Sequence, residues 1–354
     1  MTLLLDNDDV AGLISMEDCL DALRVMYREF DAGRALTRTR SDLLVPGGED
    51  ETFSLKTQDG VVSAEGVAAV RINSDLLRWP TDGTGTRRQK VPRAGGRWVG
   101  LVLLFSTSTG EPLAIFPDGV AQRMRVAGTS VLAMDALARR EASRLAVLGV
   151  GWQAEAQVLA ATRVRRFTSV RCFGPTEDRR VDFAARMSSV LDRRVDACGS
   201  PDDAVREADV ILCATNAISP VVRPDWVLPG VHVGVVKVPE VPRAVVDAVD
   251  IAVVHSPLAS PAVIVARGTR SRETEPTDDG ALDATTAHAL PELTDLLSGR
   301  LGGRTGDEQT SCFVNNGGLG IQFAAIGALI HRRARERGIG RELPTDWFTE
   351  SVHP

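Results

Sequence analysis

One short stretch constrains the fold of this chain more than any other, the run LAVLGVGWQAEAQVLAA over residues 145–161. An apolar segment of strand length ends in Gly149 and Gly151, and small residues at helical spacing follow. Gly-x-Gly after a strand lets the backbone turn tightly and leaves room for a pyrophosphate on the next helix N-terminus. Ala154 stands where a third glycine is commoner, and it is small enough for close helix–strand packing. The pattern predicts a dinucleotide-binding turn, although alone it also occurs in ordinary strand-to-helix turns.

The chain around this turn supplies further units of the same kind. Short apolar runs follow one another with helical stretches between them: RLAVLGV, TSVRCFG, DVILCAT, VHVGVVK and DIAVVHS. Near-continuous apolar strands separated by amphipathic helices are typical of a parallel sheet covered on both faces. We therefore predict an α/β chain with a Rossmann-type, doubly wound parallel sheet, and the context favours a dinucleotide at the glycine turn.

The segments outside this region have a different pattern. Residues 15–33 have apolar positions at helical spacing, a Ser15/Asp18 cap and a glycine stop. The run GRWVGLVLLFSTSTGEPLAIFPDG predicts a hairpin with STSTGEP as its turn, whereas residues 81–96 lack periodicity and predict an exposed loop. Residues 124–140 and the apolar run ending at Gly338 predict helices, and the stretch after residue 256 looks irregular. These features predict a second, α+β domain.

Charge and residue usage exclude several classes of function. The net charge of −6 provides no basic surplus for nucleic acid or an anionic membrane. Apolar stretches stay short of the roughly 20 residues of a membrane span. The five cysteines and five histidines form no zinc-binding spacing, so we expect reduced thiols, no metal and a cytoplasmic location.

The end of the second strand bears on the choice of cofactor. NAD enzymes usually place Asp or Glu there to accept hydrogen bonds from the ribose. This chain has RCFGPTEDRR, with a hydroxyl and arginines and no acid at the strand tip, which favours the 2′-phosphate of NADP over NAD. Glu177 and Asp178 lie just beyond the strand. The alternative is that the arginines simply begin a solvated helix. The predicted cofactor-binding residues are Gly149, Gly151, Trp152, Gln153, Ala154, Gly174, Thr176, Arg179, Thr215 and Asn216.

Three stretches together resemble the ornithine cyclodeaminase/μ-crystallin family: QRMRVAGTSVLAMDALARREASRLAVLGVGWQAEAQ, AVREADVILCATNAISPVV with LPGVHVGVV, and PELTDLLSGRLGGRTGDEQTSCF. The resemblance implies a Rossmann domain over residues 123–315. It also implies a substrate and dimerisation domain formed by residues 1–122 and completed by the C-terminal helix within residues 316–354. A homodimer, a nicotinamide cofactor and an amino or imino acid substrate are implied as well.

The resemblance also assigns substrate-binding arginines. Arg125 matches the family arginine that grips the substrate carboxylate, and guanidinium is a natural bidentate partner for that group. Arg71 falls where cyclodeaminases have a lysine; it can hold a carboxylate but cannot exchange a proton near neutrality. Arg40 is a third candidate, although Arg38 could fill the same place. Arg125, Arg40 and Arg38 could each be a plain surface arginine instead.

The clearest departure from the family follows the fifth strand. Cyclodeaminases have G-G-D-x-P-G there, with an aspartate that handles the substrate amine, whereas this chain has VGVVKVPEVP. We predict that Lys237 or Glu240 moves the proton on nitrogen, the alternative being an ion pair at the start of a loop. The leading hypothesis is an NAD(P)-dependent oxidoreductase acting on the C–N bond of an amino or imino acid. The alternatives are a cyclodeaminase-type lyase that uses NAD catalytically and a cofactor-loaded binding protein like μ-crystallin.

Overall fold

The computed structural model describes residues 1–83, 85–92, 95–271 and 280–352. The strands are β1 Thr2–Leu4, β2 Ala35–Thr37, β3 Ser41–Pro46, β4 Thr52–Val62, β5 Val67–Arg78, β6 Thr81–Asp82, β7 Gly85–Thr86, β8 Gln89–Val91, β9 Val99–Ser106, β10 Pro112–Pro117, β11 Arg144–Leu148, β12 Ser169–Phe173, β13 Asp196–Ala197, β14 Val210–Cys213, β15 His232–Val235, β16 Ile251–Val254, β17 Ala262–Val265, β18 Ser311–Val314 and β19 Arg341–Leu343. The helices are α1 Asn7–Leu13, α2 Met16–Asp31, α3 Gly119–Leu137, α4 Trp152–Val164, α5 Glu177–Leu191, α6 Pro201–Val205, α7 Arg243–Ala248, α8 Ala284–His288, α9 Leu293–Leu297 and α10 Gly320–Arg337.

A seven-stranded parallel sheet has the order β13-β12-β11-β14-β15-β18-β16. Strand β11 lies between β12 and β14, so the chain changes direction across the sheet at the carboxyl end of β11. In open α/β sheets this switch point is where ligands bind. Apart from Arg144 at the start of β11, both strands are buried at every position, and their side chains are apolar rather than alternating. The prediction of a Rossmann-type parallel sheet is confirmed.

The second large sheet has the order β17-β3-β4-β5-β9-β10-β1-β19. In addition, β2 pairs with β4 and β8 pairs with β5. Helix α10 packs across one face of this sheet, over β4 and β5. Polar side chains of both strands lie buried on that face: Thr52, Ser54, Lys56, Gln58, Arg71, Asn73 and Asp75. A polar face beneath a helix is unusual for a protein core, and it makes these side chains candidates for a functional site.

The N-terminal helix and the hairpin agree with the expectations from sequence. Helix α2 begins after Ser15, whose side chain forms a reciprocal capping box with Asp18. Strands β9 and β10 pair antiparallel on either side of the predicted turn. Helix α3 begins earlier than predicted, at Gly119. Helix α10 is followed by its predicted glycine stop, the C-cap Gly338, whose φ of 62° suits glycine.

Two predictions about irregular segments were wrong. Residues 81–96 were expected to form a loop, but the described part contains β6, β7 and β8, and β8 pairs with β5; residues 84, 93 and 94 lie outside the described residues. The stretch after residue 256 contains β17, which pairs parallel with β3. Strands β8 and β17 are short and depend on tertiary pairing, which local periodicity does not reveal.

Across the described ranges, none of the helices combines the length and apolarity needed to cross a bilayer. Within the same ranges, His, Cys, Asp and Glu side chains do not group in threes that could hold a metal ion.

Candidate cofactor and substrate site

The turn after β11 has the geometry of a dinucleotide cradle. Gly149 has a φ of +112°, and a Cβ there would lie 2.3 Å from the Ala214 carbonyl oxygen. Gly151 is the N-cap of α4, and a Cβ there would meet nothing within 4 Å. The first position therefore excludes a side chain because of the neighbouring backbone, while the second leaves open space over a helix N-terminus. Ala154 is fully buried, as helix–strand packing requires. These features fit the pyrophosphate of a nicotinamide dinucleotide.

The first residues of α4 contact the start of α3. The Arg123 guanidinium lies 5.0 Å from the centroid of the Trp152 ring, which is 52% exposed. Gln153 Nε2 donates to the Arg123 carbonyl oxygen at 3.3 Å. The roles of Trp152 and Gln153 in cofactor binding stay predictions.

The tip of β12 lies beside the cradle. A Cβ on the buried Gly174 would lie 2.5 Å from Val150 Cγ2, so the two turns are in direct contact. Thr176 is the N-cap of α5 without a side-chain capping bond, and Thr176 and Arg179 are exposed. A hydroxyl, a guanidinium and a helix N-terminus suit a phosphate, although two acidic side chains share the first turn of α5.

The turn after β14 is held by the buried carboxylate of Glu240. Glu240 Oε1 accepts from the Thr215 N–H at 2.6 Å and from the Thr215 hydroxyl at 2.7 Å. Glu240 Oε2 accepts from the N–H groups of Val236 at 2.9 Å and Lys237 at 3.2 Å. The carboxylate thus joins the carboxyl ends of β14 and β15, with all four of its lone-pair positions in use. This geometry gives Glu240 a positioning role, and its predicted part in proton transfer stays a prediction.

Lys237 follows β15 at the edge of the sheet where ligands bind. Its Nζ donates to the Ala217 carbonyl oxygen at 2.7 Å, across the turn that contains Thr215 and Asn216. The side chain is partly buried. Lys237 is therefore near the cofactor-binding residues, and its catalytic role stays a prediction.

Arg125 is buried in the interior of α3 without a carboxylate. Its Nε and Nη2 donate to Gln122 Oε1 at 3.1 and 2.7 Å, and its guanidinium lies 5.6 Å from the Phe323 ring centroid. In the described part of the chain, no Asp or Glu lies within ion-pair distance of it. Burial, with the positive charges of Arg71 and Arg40, lowers the pKa of Arg125 to about 9, against the opposing effect of Tyr27 and Asp118. The site therefore favours an anion that the protein does not supply.

Arg71 lies over the same ring but is already paired. Its Nε donates to Asp118 Oδ2 at 2.7 Å, Nη1 to Gln58 Oε1 at 2.9 Å and Nη2 to Asn73 Oδ1 at 2.8 Å. The guanidinium lies 5.2 Å from the Phe323 centroid. Arg71 Nη2 also lies 2.7 Å from Asp118 Oδ2, so these contacts engage four of the five N–H donors and leave one for a ligand.

The structure also distinguishes the two remaining arginine candidates. Arg40 forms a bidentate ion pair with the buried Asp42, at 2.7 and 2.8 Å, and its charge acts on Arg125. Arg38 has an 80% exposed side chain that pairs with Asp59 on the surface. Arg40 is therefore the candidate that belongs to the arginine group.

A glycine turn closes the arginine group from the other side. A Cβ on Gly318 would lie 2.4 Å from Arg125 Nη1, and the Gly318 carbonyl oxygen accepts from Gln58 Nε2 at 2.6 Å. His255 Nδ1 lies 2.7 Å from the neighbouring Gly317 carbonyl oxygen, and its Nε2 lies 2.8 Å from the Tyr27 hydroxyl. The sequence did not predict a place in the site for His255 or Gly318, because a single His or Gly has no local signature of binding.

A second group that sequence reasoning missed lies next to Arg71. The carboxylate of the buried Asp75 lies 2.9 Å from Lys90 Nζ and 3.7 Å from Lys56 Nζ. Lys90 Nζ also donates to Asn73 Oδ1 at 3.3 Å. The alternation Lys-x-Gln on β4 and Arg-x-Asn-x-Asp on β5 was the available signal, since polar residues with a period of two mark one face of a strand.

Comparison with known proteins places this geometry in context. A Delta(1)-pyrroline-2-carboxylate reductase of Bacillus cereus is 26% identical over 350 residues, which cover 96% of this chain and 99% of the relative. An NAD(P)H-dependent anabolic L-arginine dehydrogenase of Pseudomonas aeruginosa is 30% identical over 224 residues, covering 63% of this chain and 64% of the relative.

Solved structures share the whole fold. The Thermococcus litoralis Delta(1)-pyrroline-2-carboxylate reductase, in complex with NADH and L-proline, superposes with a TM-score of 0.77 at 23% identity, covering 97% of this chain and 100% of that chain. The family model described as Ornithine cyclodeaminase/mu-crystallin family matches residues 85–338. The resemblance drawn from the three sequence motifs is confirmed, and the chain belongs to the ornithine cyclodeaminase/mu-crystallin family.

Proposed function

We propose that this chain is an NAD(P)-dependent oxidoreductase acting on the C–N bond of an amino or imino acid. The observation that carries the proposal is Arg125, a buried guanidinium that lacks a carboxylate partner among the described residues. An unpaired buried charge is costly, so such a site is usually completed by its ligand. The curated relatives with reductase and dehydrogenase names support the same class of reaction.

Each part of the site has a proposed task. The Gly149–Gly151 turn and the N-terminus of α4 hold the pyrophosphate. Arg125, with Arg71 and Arg40 beside it, holds and orients the substrate carboxylate. When bound, the nicotinamide cofactor supplies or accepts the hydride. Orientation of the substrate by the arginines accounts for much of the protein's contribution.

NADP is the cofactor we favour over NAD. Thr176 and Arg179 are exposed at the N-terminus of α5, where a 2′-phosphate would find a hydroxyl, a guanidinium and free N–H groups. Parallel titrations with NADPH and NADH should show tighter binding of NADPH. A clear preference for NADH would mean that Glu177 or another acid accepts hydrogen bonds from the ribose.

The substrate class is tested by a turnover screen. Cyclic imino acids and L-amino acids are assayed with NADPH and NADH and their oxidised forms, following absorbance and ammonia release. An oxidoreductase consumes or produces one reduced cofactor per substrate. A cyclodeaminase-type lyase would release ammonia with no lasting absorbance change, and a binding protein would bind the cofactor without turnover. Arg71 supports the first outcome, since it stands where cyclodeaminases have a lysine and cannot exchange a proton.

The role of Arg125 has its own test. Loss of one charge-assisted partner of a bound anion costs about 2–5 kcal/mol, so Arg125→Ala should lower kcat/KM at least tenfold. Arg125→Lys should recover only part of the loss, because an ammonium cannot reproduce the bidentate geometry. Cofactor affinity should stay unchanged in both variants. A near-native Arg125→Ala enzyme would remove the assignment.

We also propose that the chain forms a homodimer through the outer face of the larger sheet and that it resides in the cytoplasm. Neighbouring apolar side chains are exposed on that face: Leu43, Val45, Val99, Leu101 and Ile264. A contiguous exposed apolar patch usually marks an interface. Five free cysteines fit a reducing compartment. Light scattering should give twice the chain mass, and Leu101→Glu should give a monomer.

A further inference from the structure

The use of lysine in this chain is uneven. Of 41 basic residues only three are lysines, Lys56, Lys90 and Lys237, and the remainder are arginines. The two side chains differ chemically, because a buried lysine changes its pKa readily and can exchange a proton, while arginine stays charged. All three lysines lie near the proposed site: two beside Asp75, and the third after β15, where its Nζ donates to Ala217 on the turn after β14. Elsewhere, a positive charge is provided by arginine.

Lys90 lies within the group that surrounds Arg71. It belongs to β8, where it pairs with Leu77 of β5. Its Nζ contacts Asn73 Oδ1 at 3.3 Å, and the same oxygen accepts from Arg71 Nη2 at 2.8 Å. One amide oxygen therefore separates the ammonium from a guanidinium proposed to bind the substrate carboxylate.

The segment that carries Lys90 also contacts the cofactor-binding turn. The Arg88 N–H donates to the Asn216 carbonyl oxygen at 3.1 Å, and Arg87 forms a β-bridge with Ala217. Lys90 is thus two residues along the chain from Arg88, whose backbone contacts the turn predicted to bind the cofactor. A substrate that lies between the arginines and the nicotinamide would be close to this segment.

Exposure and charge distinguish Lys90 from the other two lysines. Its side chain is 39% exposed, against 6% for Lys56, so solvent can restore a proton to it. Lys237 Nζ donates to a backbone carbonyl oxygen. Burial lowers the pKa of Lys90, Asp75 raises it, and the positive charges of Arg88 and Arg71 lower it. The ammonium of Lys56 contacts the other oxygen of the Asp75 carboxylate, opposite Lys90.

We propose that Lys90 is the catalytic residue that exchanges a proton with the substrate nitrogen. The inference rests on the proposed function and adds a residue to it. In the reductive direction, the imine carbon gains the hydride of the reduced nicotinamide cofactor and the C=N double bond becomes single. The nitrogen gains a proton from the Lys90 ammonium, which becomes a neutral amine and is reprotonated by water. In the oxidative direction the neutral amine takes the proton from nitrogen.

The first test is a direct titration that needs no substrate. Reductive methylation with ¹³C-formaldehyde labels the three lysines and the N-terminal amine, and Lys90→Arg identifies the Lys90 resonance by its absence. The resonance should titrate below the ordinary lysine pKa of 10.5. A Lys90 pKa at or above that value would overturn the inference.

The second test compares kinetics of charge-conserving variants. Lys90→Arg keeps the positive charge beside Asp75 but cannot release a proton near neutrality. It should lower kcat by roughly 10²–10⁴-fold, as loss of general acid–base catalysis does, and remove the corresponding limb of the pH profile. The cofactor dissociation constant should not change.

The matched control is Lys56→Arg, which makes the same substitution on the other side of Asp75 and should keep the pH limb whatever its effect on KM. If Lys90→Arg keeps kcat and the limb while the parent protein turns over, the inference fails and the proposed function stands. If the parent protein turns over no imino or amino acid with either cofactor, the proposed function fails and the inference fails with it.

Discussion

Gly318→Ala tests the arginine site without removing any of its groups. The backbone of Gly318 is outside the positive-φ region, so alanine fits the main chain. The added methyl would lie 2.4 Å from Arg125 Nη1, 2.5 Å from Cζ and 2.7 Å from Nη2. These atoms form the end of a long side chain, which can move where a backbone could not. We therefore expect the guanidinium to shift while the fold stays intact.

The expected magnitude follows from these distances. Ordinary contact needs about 3.4 Å, so the guanidinium must retreat by about 1 Å. A displacement of that size in a substrate-positioning group costs about 10²-fold in rate, or about 2.7 kcal/mol. Stability should change by about 1 kcal/mol at most, since alanine also lowers the entropy of the unfolded chain.

The assay measures kcat/KM, the cofactor dissociation constant and Tm for three alanine variants. Gly318→Ala should lose kcat/KM alone. Gly320→Ala should lose stability, because its Cβ would lie 1.9 Å from the Asp59 backbone carbonyl oxygen. Gly12→Ala, with nothing within 4 Å, should behave like the parent protein. Full activity in Gly318→Ala would refute the placement of Arg125 in the substrate site.

Three further predictions concern other parts of the site and the core. Gly151→Leu should abolish cofactor binding, measured by fluorescence titration, because the added side chain would occupy the space proposed for the pyrophosphate. The Tm should change little, since that space is open in the protein. An unchanged titration would mean that the cofactor does not bind at this turn. Glu240→Gln should lower the free energy of unfolding by about 3 kcal/mol in denaturant titrations, since the amide NH₂ group cannot accept hydrogen bonds from the buried donors. Native stability with lost kcat would instead favour a catalytic role for Glu240. Burial lowers the pKa of His232 to about 3 and of His255 to about 4, from 6.5. The unfolded chain binds protons that the folded chain does not, so stability should fall as pH drops below 6.5, by about 3 kcal/mol between pH 7.5 and 5.5 for the two together. Equal unfolding midpoints at these two pH values would contradict the buried, neutral histidines.

The Rossmann half of the chain was predictable because its signals are local. Residues 145–148 of β11 and all of β14 are continuous apolar runs, and the Gly149/Gly151 spacing has one main structural use at a strand end. The same holds for α2, whose Ser15 and Asp18 form the cap that their spacing predicts.

The substrate side was less predictable because its geometry comes from tertiary contacts. Strand β17 and strand β8 are short, and they exist as strands because β3 and β5 pair with them. The Glu240 carboxylate reaches back to the strand that ends at Cys213, which no spacing along the chain indicates. Arg40 and Arg38 could not be ranked from the sequence, since both are arginines that follow a threonine and only the packing separates them.

Strand β17 has a consequence for how molecules enter and leave the cleft. It comes from the part of the chain that forms the parallel sheet, yet it is hydrogen-bonded to β3 of the other sheet, starting where the Ala262 N–H donates to the Arg40 carbonyl oxygen at 2.7 Å. A hinge motion that separated the two halves would have to break this pairing and would pull on the backbone of Arg40. Separation of the two halves is therefore costly, and we expect substrate and product to exchange while the β17–β3 pairing stays intact. Turnover would then not depend on the swing of a whole domain.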